Sequence, residues 1–311
     1  MIKKKHRGIV AVISANTIFG LNIPVTKSLI AHWMTPMGYT ITRMFFGTII
    51  FWLIGSFFKK EKVAGRDLLM MMAGGLLGYL GTQFLFSQSL EHTTPVIFSL
   101  LMALTPVAVL LLSTVFLKEV VSGQKVAGIC LSISGAFLII LHSKGGSAGS
   151  SNYLGILFAL LCVLSYAGYM VLTREISIKY HPLTVAKWMF LFSALAVLPF
   201  SFSELPGQKI YSGESSAHSF CLLAFALLFS TTIAFFLMPY ALKKLEASTV
   251  SIFMNLQPVV ASVVAIVVGQ DIFTWDKVLA ATLVLAGVYL VSLKGANRET
   301  GAEADVAREM V

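Results

Sequence analysis

The residues of this chain that are best suited to bind a small molecule are uncharged and polar, and they lie inside long apolar stretches. An unpaired side-chain amide that faces lipid is costly, so each must face protein or a wet cavity. In a cavity, these groups fit a polar neutral or zwitterionic solute; the alternative is hydrogen bonding that only joins helices. The predicted solute-binding residues are Asn16, Asn22, Tyr79, Gln83, Thr105, Tyr166, Tyr169, Thr231, Asn255 and Gln257.

Three basic residues, Lys27, Arg43 and Lys187, are the only ionisable groups that fall well inside apolar stretches. Each is a possible charge partner for an anionic solute. Alternatively, each extends its charged end to the interface or binds a helix C-terminus or, for Arg43, Glu91. Every Asp, Glu and His lies at or beyond the end of a stretch, which argues against a proton relay through interior carboxylates and favours facilitated flux or exchange.

Catalytic and cofactor-binding patterns are absent from the sequence. It contains no phosphate-binding glycine loop with a lysine, no metal-ligand spacing and no nucleophile–base pair, so we expect no enzyme activity, no metal and no cofactor. Cys130, Cys162 and Cys221 lie in apolar stretches, and we expect three buried, inert thiols. The net charge of +9 comes from short basic clusters without a continuous stripe, which argues against a nucleic-acid partner.

The composition identifies a lipid bilayer as the medium that surrounds these residues. Hydrophobic residues make up 57% of the 311 residues and charged ones 12%, about half the ~25% typical of soluble domains. Mean hydropathy is +0.85, and the apolar runs have the ~20 residues that a membrane-spanning helix needs. We predict ten spans, near Gly8–Ile30, Met37–Phe57, Asp67–Leu90, Pro95–Leu117, Gln124–Leu141, Tyr153–Ile176, Thr184–Phe202, Ser219–Leu242, Ala247–Gly269 and Trp275–Leu293.

The distribution of Lys and Arg predicts the orientation of these spans. With a cytoplasmic N-terminus, the inside segments carry 18 basic residues and the outside segments only Lys144, Lys209 and Lys277. We therefore expect a multi-pass protein of the inner membrane with both termini in the cytoplasm. The sequence does not define an oligomeric state.

The chain repeats itself with a constant offset of 152 residues. Residues 99–141 align without a gap with residues 251–293, pairing Met102 with Met254 and Pro106 with Pro258. Two halves of five spans must enter the membrane in opposite directions, which is the frame of alternating-access transporters. We predict an all-α fold of two inverted five-helix repeats, residues 1–142 and 153–294, with a linker at 143–152 and a disordered cytoplasmic tail at 295–311.

Two further features of the halves correspond. Pro106 and Pro258 each follow a polar residue, and breaks at matching positions point to a binding site or to packing kinks. Near the start of each half, residues 25–27 (Val-Thr-Lys) resemble residues 172–174 (Leu-Thr-Arg).

The chain resembles the drug/metabolite transporter superfamily of the EamA type. The resemblance rests on residues 19–22 (Phe-Gly-Leu-Asn) followed by Lys27, on Pro36 followed by Arg43, and on paired stretches that end at Glu119 and Asp271. Phe19 stands where that family commonly has Trp, and Asp271 where Glu is commoner. The resemblance implies a ten-helix carrier with a cavity between its halves, lined by helices 1, 3, 4, 6, 8 and 9, which often exports amino acids or related metabolites. It also implies structural roles for Glu119 and Asp271.

Residues and resemblance together predict a secondary transporter that exports a small neutral or zwitterionic metabolite, an amino acid or drug-like solute, by alternating access. One alternative is an antiporter of anionic metabolites, of the sugar-phosphate or nucleotide-sugar class, that uses Arg43, Lys27 or Lys187. The alternative from another class is a non-transporting membrane receptor or scaffold. The expected partners are a small-molecule solute and the lipid bilayer.

Overall fold

The computed structural model describes residues 2–58, 61–117, 123–142, 151–213, 215–245, 250–251 and 253–292, and within these ranges the chain is helical and contains no strand. Short 3₁₀ turns occupy Lys209–Tyr211 and Phe253–Asn255. The helices, two of which are π-helices, are α1 (Ile2–His32), α2 (Pro36–Ser56), α3 (Gly65–Gly74), π1 (Gly75–Gly81), α4 (Thr82–His92), α5 (Pro95–Met102), α6 (Thr105–Leu117), α7 (Gly123–His142), α8 (Ser151–Leu172), α9 (Arg174–Lys179), α10 (Pro182–Glu204), α11 (Ala217–Phe225), π2 (Ala226–Ala234), α12 (Phe235–Lys244), α13 (Leu256–Val267) and α14 (Trp275–Ser292).

All ten predicted spans coincide with helical segments in the described part of the chain. Seven of these segments are long and apolar enough to cross a membrane, and Val126–Gly135 and Phe253–Val267 are shorter apolar helices in the fifth and ninth segments. The third segment is α3, π1 and α4 in succession, and the eighth is α11, π2 and α12. Residues 143–150 of the predicted linker, the predicted tail at 295–311 and Glu119 lie outside the described residues, while α8 begins at Ser151.

Local sequence signals explain where several helices begin. Thr35 and Thr94 precede α2 and α5, and their hydroxyl oxygens accept hydrogen bonds from the backbone N–H groups of Gly38 and Ile97. A proline follows each threonine at the first helical position, where its missing N–H would have had no partner. Threonine followed by proline therefore marks the start of two membrane segments.

Helices α7 and α14, the fifth segments of the two halves, pack against each other in opposite directions. A Cβ added to Gly135 of α7 would lie 2.8 Å from the backbone nitrogen of Val284, and one added to Gly287 of α14 would lie 2.5 Å from that of Ser132. The offset of 152 exchanges these two contacts. Equivalent helices that run antiparallel and meet through equivalent residues are what an inverted repeat requires.

Both halves carry a π-helix at the same place. Adding 152 to the range Gly75–Gly81 of π1 gives 227–233, which lies inside Ala226–Ala234 of π2. The threonine hydroxyls of π2 bond five residues back, Thr231 to the Ala226 carbonyl at 2.9 Å and Thr232 to the Leu227 carbonyl at 3.0 Å. Such π-segments are rare and frequently lie at functional sites. The sequence did not predict them.

The expectation of three buried thiols is wrong for two of them. Cys162 is buried, whereas Cys130 and Cys221 lie on exposed faces of α7 and α11. In a membrane protein the faces towards lipid are as apolar as the core, so an apolar stretch does not show which of its side chains are buried.

Candidate functional site

A cavity lies among five of the membrane segments, three from the first half and two from the second. Its volume is about 40 Å³, which is room for about three water molecules. Met102 and Met254, which the repeat makes equivalent, both contribute to its wall. The lining residues are Phe19, Asn22, Ile23, Thr82, Gln83, Phe86, Phe98, Met102, Cys162, Tyr166, Met254 and Gln257.

The segments that supply the two methionines are both interrupted next to them. The fourth segment breaks between Met102 and Thr105, directly before Pro106, and the ninth opens with the 3₁₀ turn Phe253–Asn255 before Pro258. The Thr105 hydroxyl donates to the Met102 carbonyl at 2.6 Å, so this predicted binding residue stabilises the break and does not line the cavity. The matching prolines thus mark real interruptions at the cavity wall.

Two buried polar atoms of cavity-lining residues have no hydrogen-bond partner among the described residues. They are Oδ1 of Asn22 and the hydroxyl of Tyr166. The amide nitrogen of Asn22 is held by the Thr26 hydroxyl at 3.1 Å and the Tyr39 hydroxyl at 3.4 Å, which fixes the orientation of the amide. Buried polar atoms are nearly always paired, so unpaired atoms on residues that line a cavity indicate positions where a bound ligand or water would supply the missing partner.

Arg43 is fully buried next to this cavity and joins the two halves. Its Nε donates to the Thr231 hydroxyl at 2.7 Å and its Nη2 to the Ser230 hydroxyl at 2.9 Å, both on π2. Its Nη1 donates to Oε1 of Gln83, which lines the cavity. The guanidinium also stands 5.4 Å from the ring centre of Tyr39.

The charge of Arg43 has no protein counterpart in the described part of the chain. The ion pairs there are Lys179–Asp67, Lys277–Asp271 and His92–Glu91, and none includes Arg43. Among the described residues, Arg43 makes no hydrogen bond to a helix C-terminus or to Glu91, the two structural alternatives for its side chain. A buried cation that meets only neutral groups carries an uncompensated desolvation penalty.

Four of the other predicted binding residues are engaged in packing. The Gln257 amide lines the cavity, yet its nitrogen donates to Oδ1 of Asn16 at 2.7 Å, and the Asn16 nitrogen donates to the Val12 carbonyl at 2.8 Å. Tyr79 and Tyr169 are buried with ring centres 5.8 Å apart and do not line the cavity. Oδ1 of Asn255 is buried without a described partner, but Asn255 is not among the lining residues either.

Lys27 caps the C-terminus of α4. Its ammonium donates to the carbonyls of Leu90 at 2.6 Å and Thr93 at 3.0 Å, at the end of α4. In the second half, Arg174 donates to the carbonyl of Leu242, which the offset of 152 makes equivalent to Leu90. Cations stabilise helix C-termini through the dipole and the free carbonyls, which explains why residues 25–27 resemble residues 172–174.

Lys187 lies away from the cavity. Its ammonium stands 5.1 Å from the ring centre of Trp52 and 6.0 Å from that of Trp188. Of the three basic residues that the sequence singles out, the structure therefore brings only Arg43 to the site.

Sequence reasoning missed several residues of the site. Ser230 binds Arg43, Tyr39 holds Asn22, and Phe98 lines the cavity wall. Serine and tyrosine inside a span have no pattern that separates binding from packing. The pairing of Met102 with Met254 was visible in the repeat, but methionine is an ordinary core residue, so nothing marked the pair as cavity-lining.

The fold and the cavity together define a class of protein, the polytopic helical transporter built on a repeat. A profile of the EamA-like transporter family matches residues 6–141 and 153–293, one copy per half. The chain belongs to the EamA-like transporter family, whose members are transporters and not enzymes. This sets aside the receptor or scaffold alternative.

Relatives in other organisms match the chain over most of their length. An uncharacterized transporter of Archaeoglobus fulgidus is 25% identical over 89% of this chain and 96% of its own. A probable terminal-alkyne amino-acid exporter of Streptantibioticus cattleyicolor is also 25% identical, over 84% of this chain and 85% of its own. A solved crystal structure at 18% identity superposes with a TM-score of 0.62, covering 90% of this chain and 98% of that one, and shows the same fold.

Proposed function

We propose that the protein is a secondary transporter that exports a small neutral or zwitterionic metabolite of the amino-acid class by alternating access. The observation that carries this proposal is the cavity between the halves, where Oδ1 of Asn22 and the hydroxyl of Tyr166 lack protein partners in the described part of the chain. Both groups are uncharged acceptors, and the cavity also presents the apolar faces of Phe19, Phe86 and Phe98. A solute with an ammonium group and an apolar side chain fits both features.

Contacts between loops at the two ends of the molecule support alternating access. At one end the loop between the second and third segments meets the loop between the sixth and seventh: the His181 N–H donates to Glu61 at 3.0 Å and the Ala64 N–H to the Tyr180 hydroxyl at 3.3 Å. The Asp67 carboxylate accepts a hydrogen bond from Lys179 there, and this bond raises the pKa of Lys179.

The equivalent loops meet at the other end. There the loop between the seventh and eighth segments contacts the loop between the first and second. The Thr35 N–H donates to Oε1 of Gln208 at 2.7 Å, and the Ile210 N–H donates to the Trp33 carbonyl at 3.2 Å. Under the proposal, each set of contacts is a gate, and the two gates open in turn.

Export and a location in the inner membrane rest on two supports. The relative from Streptantibioticus cattleyicolor is described as a probable amino-acid exporter, and the basic residues favour cytoplasmic termini. With this orientation, a cysteine that replaces the exposed Gly65 at the start of α3 is labelled by an impermeant thiol reagent only from the cytoplasmic side. One that replaces Ala217, its equivalent at the start of α11, is labelled only from the outside. The opposite pattern would reverse the assigned orientation.

The experiment that tests the proposed function is counterflow in proteoliposomes. Purified protein is reconstituted in vesicles loaded with one unlabelled amino acid, and entry of the same labelled amino acid is followed for a panel of aromatic and aliphatic amino acids. We expect transient accumulation of at least one of them, and none in protein-free vesicles. Equal signals with and without protein across the panel would refute the proposal.

Arg43 favours a second candidate, antiport of anionic metabolites, because its buried charge lacks a carboxylate partner in the described part of the chain. Neutralising Arg43 would abolish exchange of an anion such as a sugar phosphate. Under the first candidate, it would only weaken the flux of an amino acid.

A further inference from the structure

We propose that Arg43, acting through the amide of Gln83, makes a carboxylate the main recognition element of the transported solute. This inference rests on the proposed function and names the chemical group that the cavity selects. It assigns the carboxylate end of the solute to Gln83 and its ammonium end to Asn22 and Tyr166.

The buried guanidinium of Arg43 is surrounded by neutral groups in the described structure. A guanidinium has five N–H donors and no acceptor. Three hydrogen bonds engage it, to Thr231, Ser230 and Gln83, and the phenol of Tyr39 stands beside it, so the described groups that contact it are neutral. A cation buried at membrane depth among neutral groups costs much free energy unless an anion approaches it. The bound solute is the group that brings such an anion.

The contact with Arg43 fixes the orientation of the Gln83 amide. Because the guanidinium only donates, the oxygen of Gln83 must face Arg43, and the amide nitrogen must point elsewhere. That nitrogen makes no hydrogen bond with the described residues, and Gln83 lines the cavity. Its N–H groups, polarised by the cation behind them, are donors for a carboxylate.

The number of cations at the site favours a carboxylate over a phosphate as the bound anion. A phosphate group carries a charge of about −1.5 to −2 at neutral pH, so it calls for more than one cation. Lys27 is bound to the carbonyls of Leu90 and Thr93, and Lys187 stacks on tryptophan rings away from the cavity. With Arg43 as the cation at this site, the charge matches one carboxylate.

The test compares three solutes that differ only in their charged groups: an amino acid that the protein transports, its decarboxylated amine, and its deaminated acid. Each competes for counterflow of the labelled amino acid, and each is also tested for thermal stabilisation of the purified protein in detergent. For the wild type we expect the amine to compete about 10- to 100-fold less well than the amino acid, the effect of one unit charge pair across an amide.

Substitutions assign this preference to Arg43. In Arg43→Gln the amine and the amino acid should compete about equally, whereas Arg43→Lys, which keeps the charge, should retain part of the preference. The matched control is Lys187→Gln, which removes a cation outside the cavity and should behave like the wild type. If Arg43→Gln does not fold, the comparison of Arg43→Lys with the wild type and the wild-type solute series still decide the matter.

Three results would overturn the inference. The wild type could accept the amine as well as the amino acid, Arg43→Gln could keep the full preference, or Lys187→Gln could lose it. In each case amino-acid counterflow would still support the proposed function. Conversely, stabilisation that depends on the carboxylate and on Arg43, without counterflow, would support the inference and refute transport. No binding and no flux of any solute would refute both.

Discussion

At the scale of single residues, hydrogen-bond satisfaction separates the polar groups that hold helices together from those that are free to bind a solute. Asn16 and Gln257 bond to each other across the two halves. Asn22 and Tyr166 line the cavity, and each has one buried polar atom without a partner in the described structure. All four residues look alike in the sequence, because an amide or a phenol inside a span fits either role.

The Tyr166→Phe substitution should reduce transport without destabilising the protein. The hydroxyl that it removes has no described partner, so its loss leaves stability unchanged or slightly improved, whereas a solute that bonds to it loses about 1 kcal/mol of binding, or about fivefold in affinity. Counterflow titration and the melting temperature in detergent measure the two effects.

The matched control for Tyr166→Phe is Asn16→Ala. It leaves the Gln257 amide unpaired and should cost about 1–3 kcal/mol of stability. A Tyr166→Phe protein that melts as early as Asn16→Ala would show that the Tyr166 hydroxyl is structural.

Lys27→Met should lower stability and leave solute preference intact. The ammonium of Lys27 satisfies two carbonyls at the end of α4, and a cation in that position is worth about 1–2 kcal/mol. The melting temperature in detergent should fall, and the preference for the amino acid over its decarboxylated amine should match that of the wild type. If Lys27→Met instead erased this preference at unchanged stability, Lys27 would belong to the binding site.

At the scale of helices, the paired π-segments occupy equivalent positions in the third and eighth segments, and π2 supplies groups that contact Arg43. π1 contains Gly75, Gly78 and Tyr79, and π2 contains Ser230 and Thr231, which bind Arg43. Such a segment widens the helix locally. Because this widening leaves the composition and the apolar period of a whole span nearly unchanged, the sequence could not reveal it.

Gly75→Ala tests whether π1 requires close packing. A Cβ at this position would lie 2.6 Å from the carbonyl oxygen of Met189 on α10, and backbone cannot move aside as a side-chain tip can. We expect a loss of about 1–3 kcal/mol from this overpacking, measured as a lower melting temperature. Gly65→Ala is the control, since a Cβ there meets nothing within 4 Å. Equal melting of the two variants would contradict the packing described for π1.

The elements that depend on composition and repetition were the ones that sequence predicted well. Runs of about 20 apolar residues mark spans because the bilayer sets that length, and the offset of 152 carried Met102, Pro106 and Leu90 onto their equivalents. What the sequence could not provide was which side of a helix faces its neighbours. For that reason Cys130 and Cys221 were expected to be buried, and the contacts of Arg43 with Ser230 and Thr231 were not foreseen.

At the scale of the whole molecule, two halves of opposite direction both line the cavity, and their loops contact each other at both ends of the molecule. The antiparallel contact of α7 with α14 exchanges equivalent residues, and the loop contacts at the two ends are equivalent under the same repeat. Because equivalent loops close the two ends, the outward-open and inward-open states are expected to have similar free energies. Under the proposed alternating access, the cavity therefore communicates with both sides of the membrane, one at a time.

The most direct test of that requirement places a thiol on the cavity wall at Phe19, which lines the cavity and is only partly buried. In a Phe19→Cys variant that also carries Cys130→Ser, Cys162→Ala and Cys221→Ser, a small impermeant thiol reagent is applied to right-side-out and to inside-out vesicles, with and without a transported amino acid. Alternating access predicts modification of the introduced cysteine from both sides and a slower reaction when the amino acid is present. Modification from one side only, at a rate that the amino acid does not change, would contradict alternating access.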